Sequence, residues 1–494
     1  MKKEVFFNLI LTILVSLMGF IQNKYFIKYL GVEVLGIMKL FNQLFQYLNI
    51  VEMGIGAASA YALYKPLAEK NTEEISKIVS TIKSIYNKIA IILFGLGLIC
   101  TPLLPFFMKI NNFDKNIYLY WILFLLNTIS TYLYIKYIIL FTANQEFIKV
   151  KIIQSSSKIF YQILQIIFFI KLSSFYLYIL LLLLDNLTQY IFFKAYYKKR
   201  YSYIYNTKER YYGIKSDIKN LFWHKIGGLV VFNTDLILIS KLVSIEIVGI
   251  YASYLMVFQI LKTMMNILYS VINPKIGKYI AQHNKEEIYV SFKNLNILFI
   301  FLGMILIFPT LILINSFVNL WIGKEYILGK RTIILLCINY YIDLVRWILE
   351  AYKSGAGFFD DIQSPILESV INLVFSIILG IKYGLNGIIM GTVISNVTVI
   401  LIYKPILVFK RCFDKDIKEY IKVYGNYLIL LLISLFCLNI ATKPFIRENI
   451  NSWLDWIIYV TTISAITVIV LFIVFLLNKE FRNIIKVYVL KKNN

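Results

Sequence analysis

Four cysteines and two histidines are all that 494 residues contain, and each scarcity removes a class of function. Cys100, Cys337, Cys412 and Cys437 stand singly in or beside apolar runs, without the spacing of a disulfide framework or a zinc site. His224 and His283 are too few and too far apart for a metal pair or an acid–base pair. The sequence has no Walker phosphate loop, no G-x-S-x-G nucleophile motif and no polar stretch of domain length. Neither an ATP-driven transporter nor an enzyme with a separate catalytic domain is expected, and no cofactor or metal is called for.

Acidic residues are scarce as well: 27 Asp and Glu face 51 Lys and Arg, for a net charge of +24. The basic residues collect in short loops on alternate sides of apolar runs, so no nucleic-acid partner is expected. Those runs dominate the chain. It is 59% hydrophobic and 16% charged, with a mean hydropathy of +0.72. Stretches of about 20 apolar residues recur throughout, each able to cross ~30 Å of hydrocarbon. The pattern predicts an all-α polytopic membrane protein of about 14 transmembrane helices. The spans fall near 5–27, 36–64, 84–109, 117–141, 152–171, 174–196, 221–242, 246–272, 294–322, 331–352, 362–382, 385–409, 423–442 and 454–477. The first is too long for a signal-peptide core and lacks a small-residue cleavage site. With Met1 inside, most Lys and Arg fall on inner loops and tails, notably "KAYYKKRYSYIYNTKERYYGIKSDIK" and "KRCFDKDIKEYIK". That bias places both termini in the cytoplasm, and the basic blocks suit contact with anionic lipid. The outer loops are short, unlike the large external loop expected of a glycan polymerase.

The chain also repeats itself. Shifted by 213 residues, positions 20–75 overlie 233–288 without a gap, and 13 of the 56 positions are identical. They include Glu33/Glu246, Gly36/Gly249, Phe45/Phe258, Gln46/Gln259, Asn71/Asn284 and Glu74/Glu287. Chance alone would supply roughly four or five. The spans downstream align under the same shift. Asn71 with Glu74, and Asn284 with Glu287, fit capping boxes that open helices on the inner side. Ile75, Ile78, Val79, Ile82 and Ile85 then recur at helical spacing, predicting a helix that lies on the membrane before span 3 enters it. Six spans per copy is an even number, so the copies insert with one orientation, as parallel repeats about an axis along the membrane normal. The expected division is a six-helix bundle at 1–213, a second at 214–422, and two additional helices with a cytoplasmic tail at 423–494.

Three stretches carry a family resemblance. "HKIGGLVVFNTDLILISKLVSIEIVGIYASY" (224–254) resembles the seventh and eighth spans of polysaccharide flippases, which export lipid-linked O-antigen or capsule repeat units. "SPILESVINLVFSIILGIKYGLNGIIMGTVISN" (364–396) resembles their eleventh and twelfth. "YLGVEVLGIMKLFNQLFQYLNIVEMGIGAASAYALYKPLAEKN" (29–71) resembles their first outer turn, second span and following inner loop. The likeness covers most of the first twelve spans and rests on patterns of Gly, Pro, Asn and Asp. The wider superfamily includes multidrug exporters and the flippase of the peptidoglycan precursor. The resemblance implies a bacterial plasma-membrane protein with two bundles around a central cavity lined largely by spans 1, 2, 7 and 8. It implies alternating access without covalent chemistry. The partners it implies are a polyprenyl-diphosphate-linked oligosaccharide and membrane lipids, with a polysaccharide polymerase and glycosyltransferases as further candidates. Its rivals are a cation-coupled drug exporter, a peptidoglycan-precursor flippase and, from another class, a membrane glycosyltransferase or polymerase.

Charges inside spans need a partner or a purpose, because each costs ~2.5–3.5 kcal/mol at mid-bilayer on insertion scales. Lys262 in span 8 and Glu52 in span 2 lie at similar depth. Lys262 could attract a diphosphate, or the two could neutralise each other. Lys24 and Lys39 near outer span ends, and Lys225 beside His224 near an inner end, are further cavity candidates, with snorkelling or topology as the plainer reading. Asp235 in "FNTDL" matches "IQNK" of span 1 as a candidate outer gate, or as a helix-packing hydrogen bond. In "DLVRWILE", Asp343, Arg346 and Glu350 share one helix face, and Glu368 in the next span stands at a depth to bridge Arg346. That group reads as structural, or as a cation or proton relay. Asp185, mid-span, has no evident partner.

Overall fold

A computed structural model of the chain describes residues 2–52, 55–109, 114–209, 211, 234–358, 360–361, 363–447 and 450–486. Among these residues the apolar runs form helices joined by short turns, and no strand occurs. The chain divides into two units, Met1–Ala252 and Ser253–Asn494.

The first unit holds α1 (Lys2–Leu30), α2 (Val32–Leu48), α3 (Ile55–Glu69), α4 (Thr72–Cys100), α5 (Asn116–Ser130) and α6 (Ile135–Ala143). It continues with α7 (Phe147–Leu172), α8 (Phe175–Arg200), α9 (Asp235–Leu242) and the first residues of α10 (Ile245–Gln282). Polar and aromatic contacts fix the packing where aliphatic surface alone would let helices slide. Gln22 of α1 donates to Gln165 at 2.5 Å and accepts from Gln162 at 3.1 Å. Phe26 meets Phe169, Phe175 and Tyr178 edge-on, the geometry that aromatic quadrupoles favour. Phe45 of α2 stacks on Trp121, whose indole N–H donates to Gly97 O at 2.9 Å.

The start of α4 differs from expectation in two ways. Asn71 caps the helix by accepting from Glu74 N–H at 3.1 Å, but the Glu74 carboxylate meets the Asn71 side-chain amide at 3.4 Å, so only half a capping box forms. Ile75, Ile78, Val79 and Ile82 are buried in a core with Leu63, Leu140, Tyr201 and Ile204, rather than lying on the membrane. The segment after α8 covers them. Its backbone N–H groups have no ladder partner, and buried hydroxyls of α4 supply acceptors. Tyr205 donates to Ser76 (3.2 Å), Thr207 to Ser80 (3.2 Å) and Tyr211 to Thr81 (3.0 Å). Glu209 adds an ion pair with Lys77 at 2.6 Å.

The glycines of "VEVLGI" and "IEIVGI" meet each other. A Cβ on Gly36 would overlap the carbonyl of Ile245, and a Cβ on Gly249 would overlap the carbonyl of Val32. Shifting by 213 residues turns Val32 into Ile245 and Gly36 into Gly249, so the contact is reciprocal. Reciprocity of this kind is the mark of a local two-fold relation. Here it relates residues 32–36 to residues 245–249, both within the first unit.

The second unit holds the rest of α10, α11 (Lys285–Trp321), α12 (Lys330–Gly355), α13 (Gln363–Tyr383) and α14 (Leu385–Ser395). The π-helical turns Asn396–Tyr403 lead into α15 (Lys404–Phe413), followed by α16 (Ile417–Thr442), α17 (Trp453–Phe475) and α18 (Lys479–Ile485). Asn284 and Glu287 form the full expected capping box at the start of α11. Gly384, at φ +58°, turns α13 into α14, and no Cβ fits on Gly387 beside Leu379 O or on Gly391 beside Ser376. These small residues bring the two helices to backbone contact, as membrane helix pairs commonly do. The added helices are not loose attachments: Leu313 of α11 is buried with Ile450, Tyr459 and Ile463, and Phe317 packs on Trp453 and Trp456. Between α12 and α13, Lys353 holds Asp361 at 2.6 Å and Ser364 donates to the same carboxylate. Burial alone would raise the Asp361 pKa, but Lys353 and Ser364 outweigh it and hold the group below the ordinary carboxylate value.

Eleven helices of the described residues are long and apolar enough to cross a membrane. The other three of the fourteen expected spans differ for separate reasons. Span 2 is interrupted by the 3₁₀ turn Asn49–Glu52 between α2 and α3. Span 5 is present as α7 but carries Lys149, Lys151, Lys158 and Lys171. Span 7 lies mostly outside the described residues, which resume at 234, just ahead of α9.

Candidate functional site

The face of α12 that carries Asp343, Arg346 and Glu350 faces three other segments of its unit. Arg346 donates to both carboxylate oxygens of Glu368 on α13, at 3.0 and 3.3 Å. It also lies 4.0 Å from Asp343 and 4.0 Å from Glu350. Lys262 of α10 pairs with Asp343 at 2.5 Å, and Lys404, directly after the π-helical turns, pairs with Glu350. Three cations and three anions therefore form one connected, neutral group. Its innermost members are nearly sealed: the side chains of Glu368, Lys404 and Arg346 are 2%, 3% and 10% exposed. Burying such charges is tolerable only because each one is compensated within hydrogen-bonding range.

Lys262, its side chain 31% exposed, is one of the two accessible members of this group, the other being Glu350, also 31% exposed. Lys262 lines a hollow of about 370 Å³ with Gln259, Thr263, Asn266, Tyr269 and Trp347. Gln259, Lys262, Thr263 and Asn266 follow one another at helical spacing on α10, so a row of donors and acceptors runs through the otherwise apolar stretch 255–268. Tyr269 and Trp347 lie with ring centroids 5.5 Å apart at the edge of that row. The chemistry on offer is an ammonium for an anion, amides and a hydroxyl for hydroxylated ligands, and two flat apolar faces. Among the described residues, no carboxylate lines the hollow. Asp343 stands behind Lys262, and were Lys262 to turn toward a ligand, Asp343 would keep Arg346 as a neighbour at 4.0 Å.

The other sequence candidates are placed differently. Lys262 takes Asp343 as its ion-pair partner, whereas Glu52 accepts from the Tyr132 hydroxyl at 3.0 Å, with Asn49 Oδ1 3.2 Å from the same hydroxyl. Asp235 opens α9 and accepts from the Tyr251 hydroxyl at 3.4 Å. Lys24 is exposed on α1. Lys39 is half-buried on α2, close enough to Lys158 for the two to repel. Lys225 and His224 lie outside the described residues. Asp185 does have partners, Ser157 and Gln189.

Sequence reading missed Lys404, Thr263, Asn266, Tyr269 and Trp347. Lys404 sits at the basic end of an apolar run and resembles a topology signal. A signal did exist for the α10 row: Gln259 is one of the identities of the repeat, and Asn49 is the repeat equivalent of Lys262.

Curated proteins offer no sequence match to the chain. Solved structures offer matches of fold. One is "Lipid II flippase MurJ, inward closed conformation", at TM-score 0.69 and 16% identity, covering 97% of this chain and 99% of the other. Another is a multidrug resistance MATE family transporter of the MOP superfamily in its inward-facing conformation. It matches at TM-score 0.64 and 13% identity, covering 78% and 92% of the two chains. The MATE multidrug transporter DinF-BH matches at TM-score 0.56 and 15% identity, covering 83% and 96%. At such identities the likeness is one of fold. The sequence profile of the family described as "Polysaccharide biosynthesis protein" matches residues 1–280, more than half of the chain. A helical fold shared with flippases and exporters, and a family profile that spans the whole first unit and most of α10, lead to one conclusion: the chain belongs to the polysaccharide biosynthesis protein family.

Proposed function

We propose that the protein is a flippase that moves a polyprenyl-diphosphate-linked oligosaccharide from the inner to the outer face of a bacterial plasma membrane by alternating access. The observation that carries this reading is the Lys262 hollow. It offers one ammonium for a diphosphate, a polar row for sugar hydroxyls and aromatic faces for sugar rings, within an otherwise apolar stretch of α10. A cation-coupled drug exporter would be better served by a carboxylate at this surface than by a lysine, because the lysine repels cationic drugs. Both a polysaccharide repeat unit and a peptidoglycan precursor present a sugar diphosphate, so the hollow fits the chemistry they share.

The mechanism uses no covalent step. In the resting arrangement Asp343 holds Lys262. An arriving diphosphate competes for the ammonium, and Arg346 takes up Asp343, so no bare carboxylate is left in a low-dielectric setting. Lys262 can therefore exchange partners at small cost.

The test is flipping of a fluorescent lipid-linked oligosaccharide by the purified chain in proteoliposomes, alongside export in cells. Lys262→Gln should lower flipping by about tenfold or more, the loss of one charge-assisted contact, with the amount of folded protein unchanged. Depletion in cells should trap lipid-linked polysaccharide units in the inner leaflet and leave susceptibility to cationic dyes unaltered. Wild-type flipping by Lys262→Gln would remove the lysine from the mechanism. Accumulation of peptidoglycan precursor instead would reassign the substrate.

A further inference from the structure

The first unit contains a second, differently built cavity that the transport reading does not use. It has a volume of about 460 Å³, within the ~300–1,000 Å³ range of small-molecule sites. Its walls come from α4, the turn before α6, α6 itself, α8 and the segment after α8 that the hydroxyls of α4 hold in place. Four lysines line it: Lys83, Lys136, Lys194 and Lys198. Tyrosines make up half of the other lining residues, and no carboxylate is among the described residues that line it.

Two features set this cluster apart from a solvated basic face. None of the four lysines forms an ion pair among the described residues, although Lys77, nearly two turns before Lys83 on α4, is held by both Glu73 and Glu209. Glu52, which accepts from the Tyr132 hydroxyl of the cavity wall, is already hydrogen-bonded. The lysines are also gathered: Lys136 feels the charge of both Lys83 and Lys194, while its ammonium and that of Lys194 rest on the rings of Tyr137 and Tyr190 at 4.7 and 5.3 Å. Like charges held together in a partly dry cleft repel one another strongly, and a compact polyanion relieves that repulsion.

We infer that this cavity binds a phosphate or diphosphate headgroup. The tyrosine hydroxyls and Asn87 and Asn206 supply donors beside the ammonium groups, and lysine is well suited to phosphate as a point charge. The inference does not depend on which lipid-linked sugar the protein moves, or on Lys262.

The test uses the full-length protein in nanodiscs of phosphatidylcholine alone, titrated with inorganic pyrophosphate and, separately, with farnesyl diphosphate. A third arm uses nanodiscs containing phosphatidylglycerol, with retained lipid read by native mass spectrometry. Wild-type protein should bind at least one of these probes, and Lys136→Gln combined with Lys194→Gln should weaken that binding by about tenfold or more. Lys83 and Lys198 are exposed, as Lys194 also is, so Lys83→Gln with Lys198→Gln should weaken it without touching the core, which guards against a folding artefact. Lys171→Gln, outside the cavity, should not. Binding of pyrophosphate identifies phosphate itself as sufficient. Retention of phosphatidylglycerol alone identifies a bilayer lipid as the source, and farnesyl diphosphate alone an isoprenoid diphosphate. Absence of binding by all three probes, or binding indifferent to both lysine pairs, overturns the inference. Flipping that depends on Lys262 would survive that outcome, so the two readings fail separately.

Discussion

At the residue scale, the charged group of the second unit separates what spacing reveals from what packing decides. Asp343, Arg346 and Glu350 fall on one helix face by simple periodicity, and Glu368 is one short loop away, so their proximity could be read from the sequence. The pairings of Lys262 with Asp343 and Lys404 with Glu350 join segments 81 and 54 residues apart, and nothing local encodes them. Removing one buried partner leaves the other uncompensated, at about 3–5 kcal/mol. Arg346→Ala and Glu368→Ala should each lower the thermal unfolding temperature of the detergent-solubilised protein markedly, whereas Lys262→Gln, at a partly exposed position, should change it little. Equal melting temperatures for all three would contradict the burial argument. The Asp361 latch makes a prediction in pH. Its folded pKa is depressed, so its stabilisation is complete above the unfolded value of about 3.9 and is lost as pH falls through the lower folded value. Asp361→Asn should therefore cost stability at pH 7, and the mutant should lose less than wild type on acidification, measured by thermal unfolding across that range.

At the element scale, helix starts and tight approaches are the legible part. The second capping box forms as its sequence predicts, whereas the same Asn and Glu three apart at the start of α4 give only the Asn cap. The row Ile75–Ile82 reads in sequence as one apolar face, but the membrane is the wrong partner for it. What covers it is a segment more than a hundred residues later, fixed by Ser76, Ser80 and Thr81, whose hydroxyls look in sequence like ordinary helix surface. Gly36 and Gly249 are visible as repeat identities, and their mutual contact explains why neither tolerates a side chain. Gly36→Ala and Gly249→Ala should each destabilise by about 1–3 kcal/mol through overpacking. Gly425→Ala, where a Cβ meets nothing within 4 Å, should be neutral or stabilising by the ~1 kcal/mol that helix propensity allows. Fluorescence-detected size exclusion after a heat step would rank the three, and a Gly425→Ala loss equal to the others would defeat the steric account.

At the scale of the whole molecule, hydropathy alone foretells an all-helical membrane protein, because crossing a bilayer constrains length and polarity more tightly than folding in water constrains either. The cavities are not legible in the same way. Each is assembled from separate segments, and a tyrosine or lysine in an apolar run carries no mark of which neighbours it will meet. The two added helices behave as part of the second unit, since Phe317 and Leu313 of α11 rely on them for cover. A chain ending at Phe413 should consequently reach the membrane in much smaller amounts and melt earlier than the full chain, as judged by quantitative blotting and thermal unfolding. One further consequence lies in the meeting of Gly36 with Gly249. A patch that touches its own counterpart is what two identical polypeptides share when they pair, so the junction is the kind an ancestral homodimer of half-length chains would have possessed before its genes fused. In such an ancestor a single glycine served both sides, and one mutation would have spoiled the interface twice. A fused descendant of such a pair would be free to change each side alone.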